Sequence, residues 1–319
     1  MFVIALTLAF GAAARAQLAG PWQNWQSPLQ ADDTLVGRIW SARGKRFISP
    51  DLLAADLAGA KYVLIGETHD NADHHRLQAW LIDQIVKGRK PAVIMEMISL
   101  DQSKKLETYM ARPDADAAGL GPALGWAASG WPEWPLYRPI AEAVFRAGLR
   151  LLPGNPHRAM TRKIASTGLG AIDRAERKRL ALDARLPPDL DKALIREIEE
   201  AHCNLLPAAM IGPMTQVQRY RDAVLAGALI KAGGRGGAIL ITGNGHARSD
   251  RGVPWYLRHR DGRAKISTVL LVEITEDAKS IGDLVVTGPD GRPAADYFWI
   301  TPRAEREDQC KKLRQRFKK

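Results

Sequence analysis

Cysteine is scarce in this chain: 319 residues carry two, Cys203 and Cys310. They can pair in an oxidising compartment, but His202-Cys203 is neither a CxxC step nor a zinc pattern, which excludes a disulfide scaffold and a zinc module. Long apolar runs are also missing. The uncharged stretch from Phe2 to Ala14 is too short to span a bilayer as a stable helix, so a multi-spanning membrane protein is excluded. HExxH, Walker and nucleophile-elbow patterns are absent. Gly243-Asn244-Gly245 lacks a third glycine and an acidic residue at the right distance, which rejects a dinucleotide fingerprint. Acidic residues are the minority charge: 46 Lys and Arg face 35 Asp and Glu, a formal +11. That balance calls for an anionic partner: nucleic acid, lipid head groups, or a ligand with carboxylates or phosphates.

What is present is ordinary globular usage, with 46% apolar and 25% charged residues, enough for one large or two modest domains. The positive excess is local. Arg146 to Lys163 and Arg235 to Lys265 adjoin the motifs below, and the third block, Arg303 to Lys319, ends the chain. Residues 1–16 read as a secretory signal peptide, with Ala14-Arg15-Ala16 as the cleavage site and no basic residue ahead of the apolar run. Export places the protein in the periplasm or cell envelope and argues against nucleic acid as the partner. No cysteine stands near the cleavage point, so a lipid anchor is not supported.

Short apolar runs alternate with helical patterns. Arg38 to Trp40 and Arg46 to Ile48 read as a hairpin, Tyr62 to Ile65, Ala92 to Met95, Leu149 to Leu152, Gly237 to Thr242 and Ser267 to Ile274 as strands, and Leu284 to Thr287 and Tyr297 to Ile300 as weaker late strands. A helix over His74–Lys87 has Leu77, Leu81 and Ile85 on one face and Asp73 as the candidate N-cap. Helices are expected near 99–110, 140–147, 158–166, 173–181, 188–202 and 214–232. The fold class is α/β: a mostly parallel sheet, helices on both faces, and a smaller inserted helical subdomain. The division is 37–157 with 233–301 for the α/β domain, 158–232 for the helical subdomain, and 302–319 for a basic tail that is solvated or faces a membrane.

Chemistry gathers after the strands. The first runs into Gly66-Glu67-Thr68-His69-Asp70, the second into Glu96-Met97, the third into Pro153-Gly154-Asn155, the fourth into Gly243-Asn244-Gly245-His246. Ligands of open parallel sheets bind beyond the carboxyl ends of the strands. A turn needs glycine and a polar residue, not an ionisable group each time. Glu67, His69, Glu96 and His246 form a ligand set that suits a divalent metal. Without metal, Glu67, His69 and His246 supply a general base and its orienting partner. Each also has a purely structural use, as a turn acceptor, an ion-pair partner or a helix-terminal residue. His74 and His75 are adjacent, so at most one faces the site, and the expectation is one ring exposed and one near the site. Trp126, Trp131, Trp134 and Tyr137 read as an aromatic loop that covers a flat ligand or packs under its own rings. His202 and Arg221 meet an anionic ligand if their helices pack over the crevice, while Arg221-Asp222 reads most simply as a structural pair.

The segments "LIGETHDNADHHRLQ", "VIMEM", "WPLYRPIAEA", "AHCNLLP", "MTQVQRYRDAVLA" and "ITGNGHARSDRGVPWYL" stand in this order from about Gly37 to Ile274. In this the chain resembles the ChaN-like haem-binding proteins, which are related to the erythromycin-esterase-like and Tiki-like groups. The resemblance implies an α/β fold with a smaller helical domain, export, and a role in haem or iron uptake. It also implies haem held at a homodimer interface with a tyrosinate on the iron, for which Tyr137 is the candidate by position alone. The two functional classes that follow are an exported haem-binding protein and a metal-assisted hydrolase of ester or peptide bonds.

Overall fold

The structure is a computed structural model and describes residues 20–317. The signal-peptide reading lies outside those residues. Eight strands form one sheet in the order β2-β1-β8-β7-β3-β6-β4-β5. They are β1 (Ile39–Ser41), β2 (Arg46–Ile48), β3 (Tyr62–Glu67), β4 (Ala92–Ser99), β5 (Leu151–Asn155), β6 (Ala238–Gly243), β7 (Ile266–Glu273) and β8 (Tyr297–Thr301). The six strands from β8 to β5 run parallel, and the β1–β2 hairpin adds an antiparallel edge. The expected α/β class holds.

The helices follow from the chain order. They are α1 (Pro50–Ala58), α2 (Ala72–Ile85), α3 (Ser103–Met110), α4 (Ala117–Leu124), α5 (Trp134–Ala147), α6 (Arg158–Thr167), α7 (Arg174–Arg179), α8 (Pro188–Ala201), α9 (Ala208–Ala232), α10 (Asn244–Ala247), α11 (Val253–Arg260) and α12 (Gln309–Phe317). Alternation along β3 sorts the two layers. Val63 and Ile65 join the core formed with α1 to α5, whereas Tyr62 and Leu64 join the core formed with α6, α8, α9 and α11. Leu77, Leu81 and Ile85 of α2 are all fully buried, each contributing about 1.5–3 kcal/mol by burial. Residues 158–232 leave the sheet after β5 and return at β6, and their apolar side chains share one cluster with the sheet face.

Several boundaries differ from the sequence reading, each for a local reason. Asn71, not Asp73, caps α2: its Oδ1 accepts from the N–H groups of Asp73 and His74. Asp73 instead accepts from the backbone of Gln26 and Ser27 and pins the N-terminal segment to the fold. Pro153 and Gly154 belong to β5 rather than to a turn after it, which an edge strand tolerates. Leu284 to Thr287 is no strand: only Thr287 bridges to Pro293 around a tight turn. The tail is tied rather than free, because Cys203 and Cys310 form a disulfide.

Candidate functional site

Strand β6 lies between β3 and β4 although it enters the chain long after both. This is the topological switch at which the strand ends open a crevice. About 490 Å³ of open space lies there, lined by Glu67, Thr68, His69, Glu96, Trp131, Arg221 and residues 243–246. Other concavities of about 400 and 420 Å³ sit beside β2 and between α8 and the Thr287 turn, away from these groups.

Glu67, the last residue of β3, is 2% exposed. Its Oε1 lies 2.8 Å from His69 Nδ1, and its Oε2 is 3.0 Å from His75 Nε2 without hydrogen-bonding alignment. Burial alone would raise this carboxyl, but His75 and His69 outweigh burial and hold it at about 2. Burial works against a charge on the His69 ring, yet Glu67 and Glu96 raise its pKa overall. With Nδ1 engaged, His69 Nε2 has no hydrogen-bond partner among the described residues. It lies over Gly243, where a Cβ would stand 2.9 Å from that nitrogen. Glycine there gives the imidazole its place.

A second cluster faces the first. Glu96 receives Arg221 Nη2 at 2.5 Å on one oxygen, and the Thr242 hydroxyl and Gly243 N–H at 2.6 and 2.8 Å on the other. Burial opposes ionisation, but His246 and Arg221 hold Glu96 far below the ordinary carboxylate range. His246 Nδ1 lies 2.6 Å from Asp222, with the Gln218 amide at 3.2 Å. Burial lowers the His246 pKa, and the charges of Glu96 and Asp222 overcome it to reach about 9. The imidazole is therefore a cation at neutral pH. Arg221 also donates from Nε to Asn155, leaving Nη1 directed to no partner among the described residues.

The crevice thus gathers Glu67, His69, Glu96, His246 and Arg221, all picked out from sequence. It does not make them a divalent-metal set. Among the described residues no group of three or more His, Cys, Asp or Glu is placed to hold a metal ion. Their oxygens and nitrogens are committed to one another and to Arg221, Thr242 and Asp222.

The other candidates fall elsewhere. His202 caps α8, its Nδ1 2.7 Å from the Ile198 carbonyl, and does not line the crevice. Tyr137 is fully buried, with its hydroxyl donating to the His69 carbonyl at 3.1 Å and its ring against His75. Burial, then the charges of Glu67 and Glu96, push that hydroxyl well above the usual tyrosine range. A buried, protonated Tyr137 does not fit a tyrosinate on iron in the crevice. The aromatic stretch is mostly core: Trp134 and Tyr137 are one turn apart on α5, and Trp126 packs on both. Trp131 alone reaches the crevice, its ring 4.8 Å from that of His69.

His74 and His75 are both buried, against the expectation that one would be exposed. His74 Nδ1 accepts from the Thr68 N–H, so Nε2 carries the proton toward Thr301. The basic blocks do not line the crevice either. Arg248 and Arg251 pair with Asp250, Arg251 also pairs with Glu197, and Arg158 meets Asp101 and Ser129.

His75, Asp222, Gln218 and Thr242 were not picked out from sequence as site residues. Gln218, Arg221 and Asp222 stand at i, i+3 and i+4 on a helix whose other face is apolar, a polar stripe that could have identified them. Arg221 and Asp222 do not pair with each other; adjacent helix positions diverge by about 100°, and each reaches a different partner.

For haem, the crevice offers an open imidazole nitrogen on His69, an aromatic face on Trp131 and a free guanidinium N–H on Arg221 for a carboxylate. Those groups fit the cofactor.

Among curated proteins none matches the sequence. A family model described as "Haem-binding uptake, Tiki superfamily, ChaN" matches residues 53–257, a stretch that contains every residue lining the crevice. ChaN of Campylobacter jejuni, solved with cofacially bound haem, is similar in fold at a TM-score of 0.65 and 19% identity. That match covers 85% of this chain and 98% of that one. An erythromycin esterase in its open conformation has a TM-score of 0.45 and 12% identity over 85% of this chain and 99% of its own. The type III effector HopBA1 has 0.44 and 11% over 79% and 92%. Neither of these two bears on function here. The chain belongs to the ChaN-like haem-binding uptake family of the Tiki superfamily.

Proposed function

We propose that this protein binds haem in the crevice at the ends of β3, β6 and β4. The family match over residues 53–257 carries the reading, because it spans the crevice residues from Glu67 to His246. His69 would hold the iron, Trp131 would pack against the macrocycle, and Arg221 would meet a propionate through a charge-assisted hydrogen bond. Haem would supply an iron centre; the chain supplies the walls. Titrating hemin into the purified protein is expected to shift the Soret band with saturation near one haem per chain, and no shift would overturn the reading.

Export to the cell envelope and a part in haem or iron handling belong to the same proposal. The apolar run before Ala14-Arg15-Ala16 and the bonded pair Cys203–Cys310 support it. The resemblance adds a homodimer, and the basic Arg303–Lys319 block adds contact with an anionic membrane surface. No helix of the described residues is long and apolar enough to cross a membrane. Fractionation of cells expressing the full chain tests the compartment, and sizing with and without hemin tests the dimer.

One observation favours a second reading. Glu67 fixes His69 Nδ1 at 2.8 Å and leaves Nε2 open in the crevice that Arg221 also lines, a general base sharing a site with an anion-stabilising cation. Hydrolysis of an ester or peptide bond by an activated water would use it, with the His246 cation as a further charge. Activity toward nitrophenyl esters that disappears in His69→Ala supports this reading; none in the wild type ends it.

A further inference from the structure

The two walls of the crevice are joined by one short stretch of chain. One wall is the loop after β3, where Asp70 follows His69 directly. Arg306 grips it with Nε and Nη2, each 2.8 Å from an Asp70 oxygen, and holds Glu273 at the end of β7 with Nη1 and Nη2. Glu273 also accepts from Asn71 and from the Ala304 backbone, so this anchor is built on the same loop that sets His69.

The other wall is the α8–α9 hairpin. It contributes Gln218, Arg221 and Asp222, and Glu197 packs against Gly245, where a Cβ would lie 2.6 Å from its carboxylate. Cys203, at the hairpin tip, is bonded to Cys310. From Arg306 to Cys310 is four residues, so the chain between the anchors reaches at most about 14 Å. That length limits how far the hairpin tip can move from the Asp70 loop while both anchors hold.

We infer that residues 303–310 are a strap tying the two walls of the crevice, and that opening of the Cys203–Cys310 disulfide releases it and speeds entry of the ligand. The reductant is a dithiol. One of its thiolates attacks a sulfur of the bridge, a mixed disulfide forms, and its second thiol displaces the protein cysteine. The protein gains two thiols and the reductant becomes a disulfide. Both cysteines are half-buried rather than enclosed, which leaves the bridge open to attack. The haem reading above names the ligand, but the strap is testable without it.

Diethyl pyrocarbonate labelling of histidines, mapped by mass spectrometry, reads access to the crevice. His69 reports the crevice, His259, exposed on α11 and outside the crevice lining, gives the reference rate, and buried His74 and His75 report the fold. Relative to His259, labelling of His69 is expected to rise several-fold in dithiothreitol-reduced wild type, in the Cys203→Ser/Cys310→Ser double variant and in Arg306→Ala, with His74 and His75 unlabelled. An unchanged His69 rate in all three overturns the strap. If the double variant labels His74 or His75 it has lost its fold, and the reduced wild type and Arg306→Ala decide. A parallel hemin titration separates the two proposals. A labelling response without any Soret shift leaves the strap standing and removes haem. A Soret shift of equal rate in every form, with unchanged labelling, does the reverse.

Discussion

Asp222 and His246 meet at 2.6 Å with both side chains almost wholly buried, one from the long helix α9 and one from the turn after β6. Removing one member of such a pair strands the other charge in a low dielectric. Asp222→Asn is expected to cost about 3–5 kcal/mol at pH 7. The effect has a defined pH dependence. The folded pKa of His246, about 9, lies above its ordinary 6.5. The His246 contribution is therefore present at pH 7 and lost as pH rises through 9, while on the acid side burial raises Asp222 to about 6, so the pair weakens below that as the carboxylate takes up a proton. Urea unfolding of wild type and Asp222→Asn should show a wide gap at pH 7 that narrows by pH 10. A gap that stays constant would mean that the His246 charge is not what Asp222 stabilises.

This pair also shows what the sequence made legible and what it hid. Strand ends and their glycines are local signals, so Glu67, His69, Glu96 and His246 stood out as candidates from the β/α alternation. Their partners come from elements distant in sequence. Asp222 looked like the salt-bridge mate of Arg221, and only the path of α9 across the sheet sends the two to different carboxyl-end groups. His75 was obscured by the same limit: its adjacency to His74 suggested that one ring must be exposed, whereas α2 lies so close against β3 that both find buried surroundings. The metal reading failed for an energetic reason. Residue types matched a ligand set, but Arg221 and Thr242 already satisfy the Glu96 oxygens, and that depends on side-chain directions no spacing rule carries.

His74 predicts the behaviour in acid. Burial lowers its pKa from 6.5 to about 4, and its two nitrogens are already committed to the Thr68 N–H and Thr301. As pH falls below 6.5 the unfolded chain takes up a proton that the folded one refuses until about 4. Stability should drop by about 3 kcal/mol across that window. Glu67, held at about 2, contributes stability present above 4.5 and lost as pH falls through 2, so most of its effect lies below the His74 window. His74→Gln keeps an acceptor and a donor without a titrating group. Its urea midpoint should change less between pH 7 and pH 4.5 than that of the wild type.

Tyr137→Phe separates two views of the aromatic segment. The hydroxyl donates to the His69 carbonyl, and the ring packs against His75 and Trp126. Its loss should cost about 1 kcal/mol in denaturant unfolding. The Soret position of the hemin-loaded protein should not move, because a buried, protonated phenol is not an iron ligand. A shifted band with unchanged stability would reverse the assignment and require the phenol to reach the crevice.

Gly243 offers the sharpest test of the crevice itself. Its backbone sits at φ −64° and ψ 152°, extended geometry that any residue adopts, so alanine introduces no backbone strain. Its methyl group would nevertheless stand 2.9 Å from His69 Nε2 and 3.2 Å from Cε1. The imidazole must swing away, and its Nδ1 contact with Glu67 lengthens. Gly243→Ala should therefore weaken hemin binding about tenfold or more, about 1.4 kcal/mol or more, while denaturant stability falls much less. The His69 ring resonances should move with it. Wild-type affinity and unmoved resonances would mean that His69 does not hold the ligand.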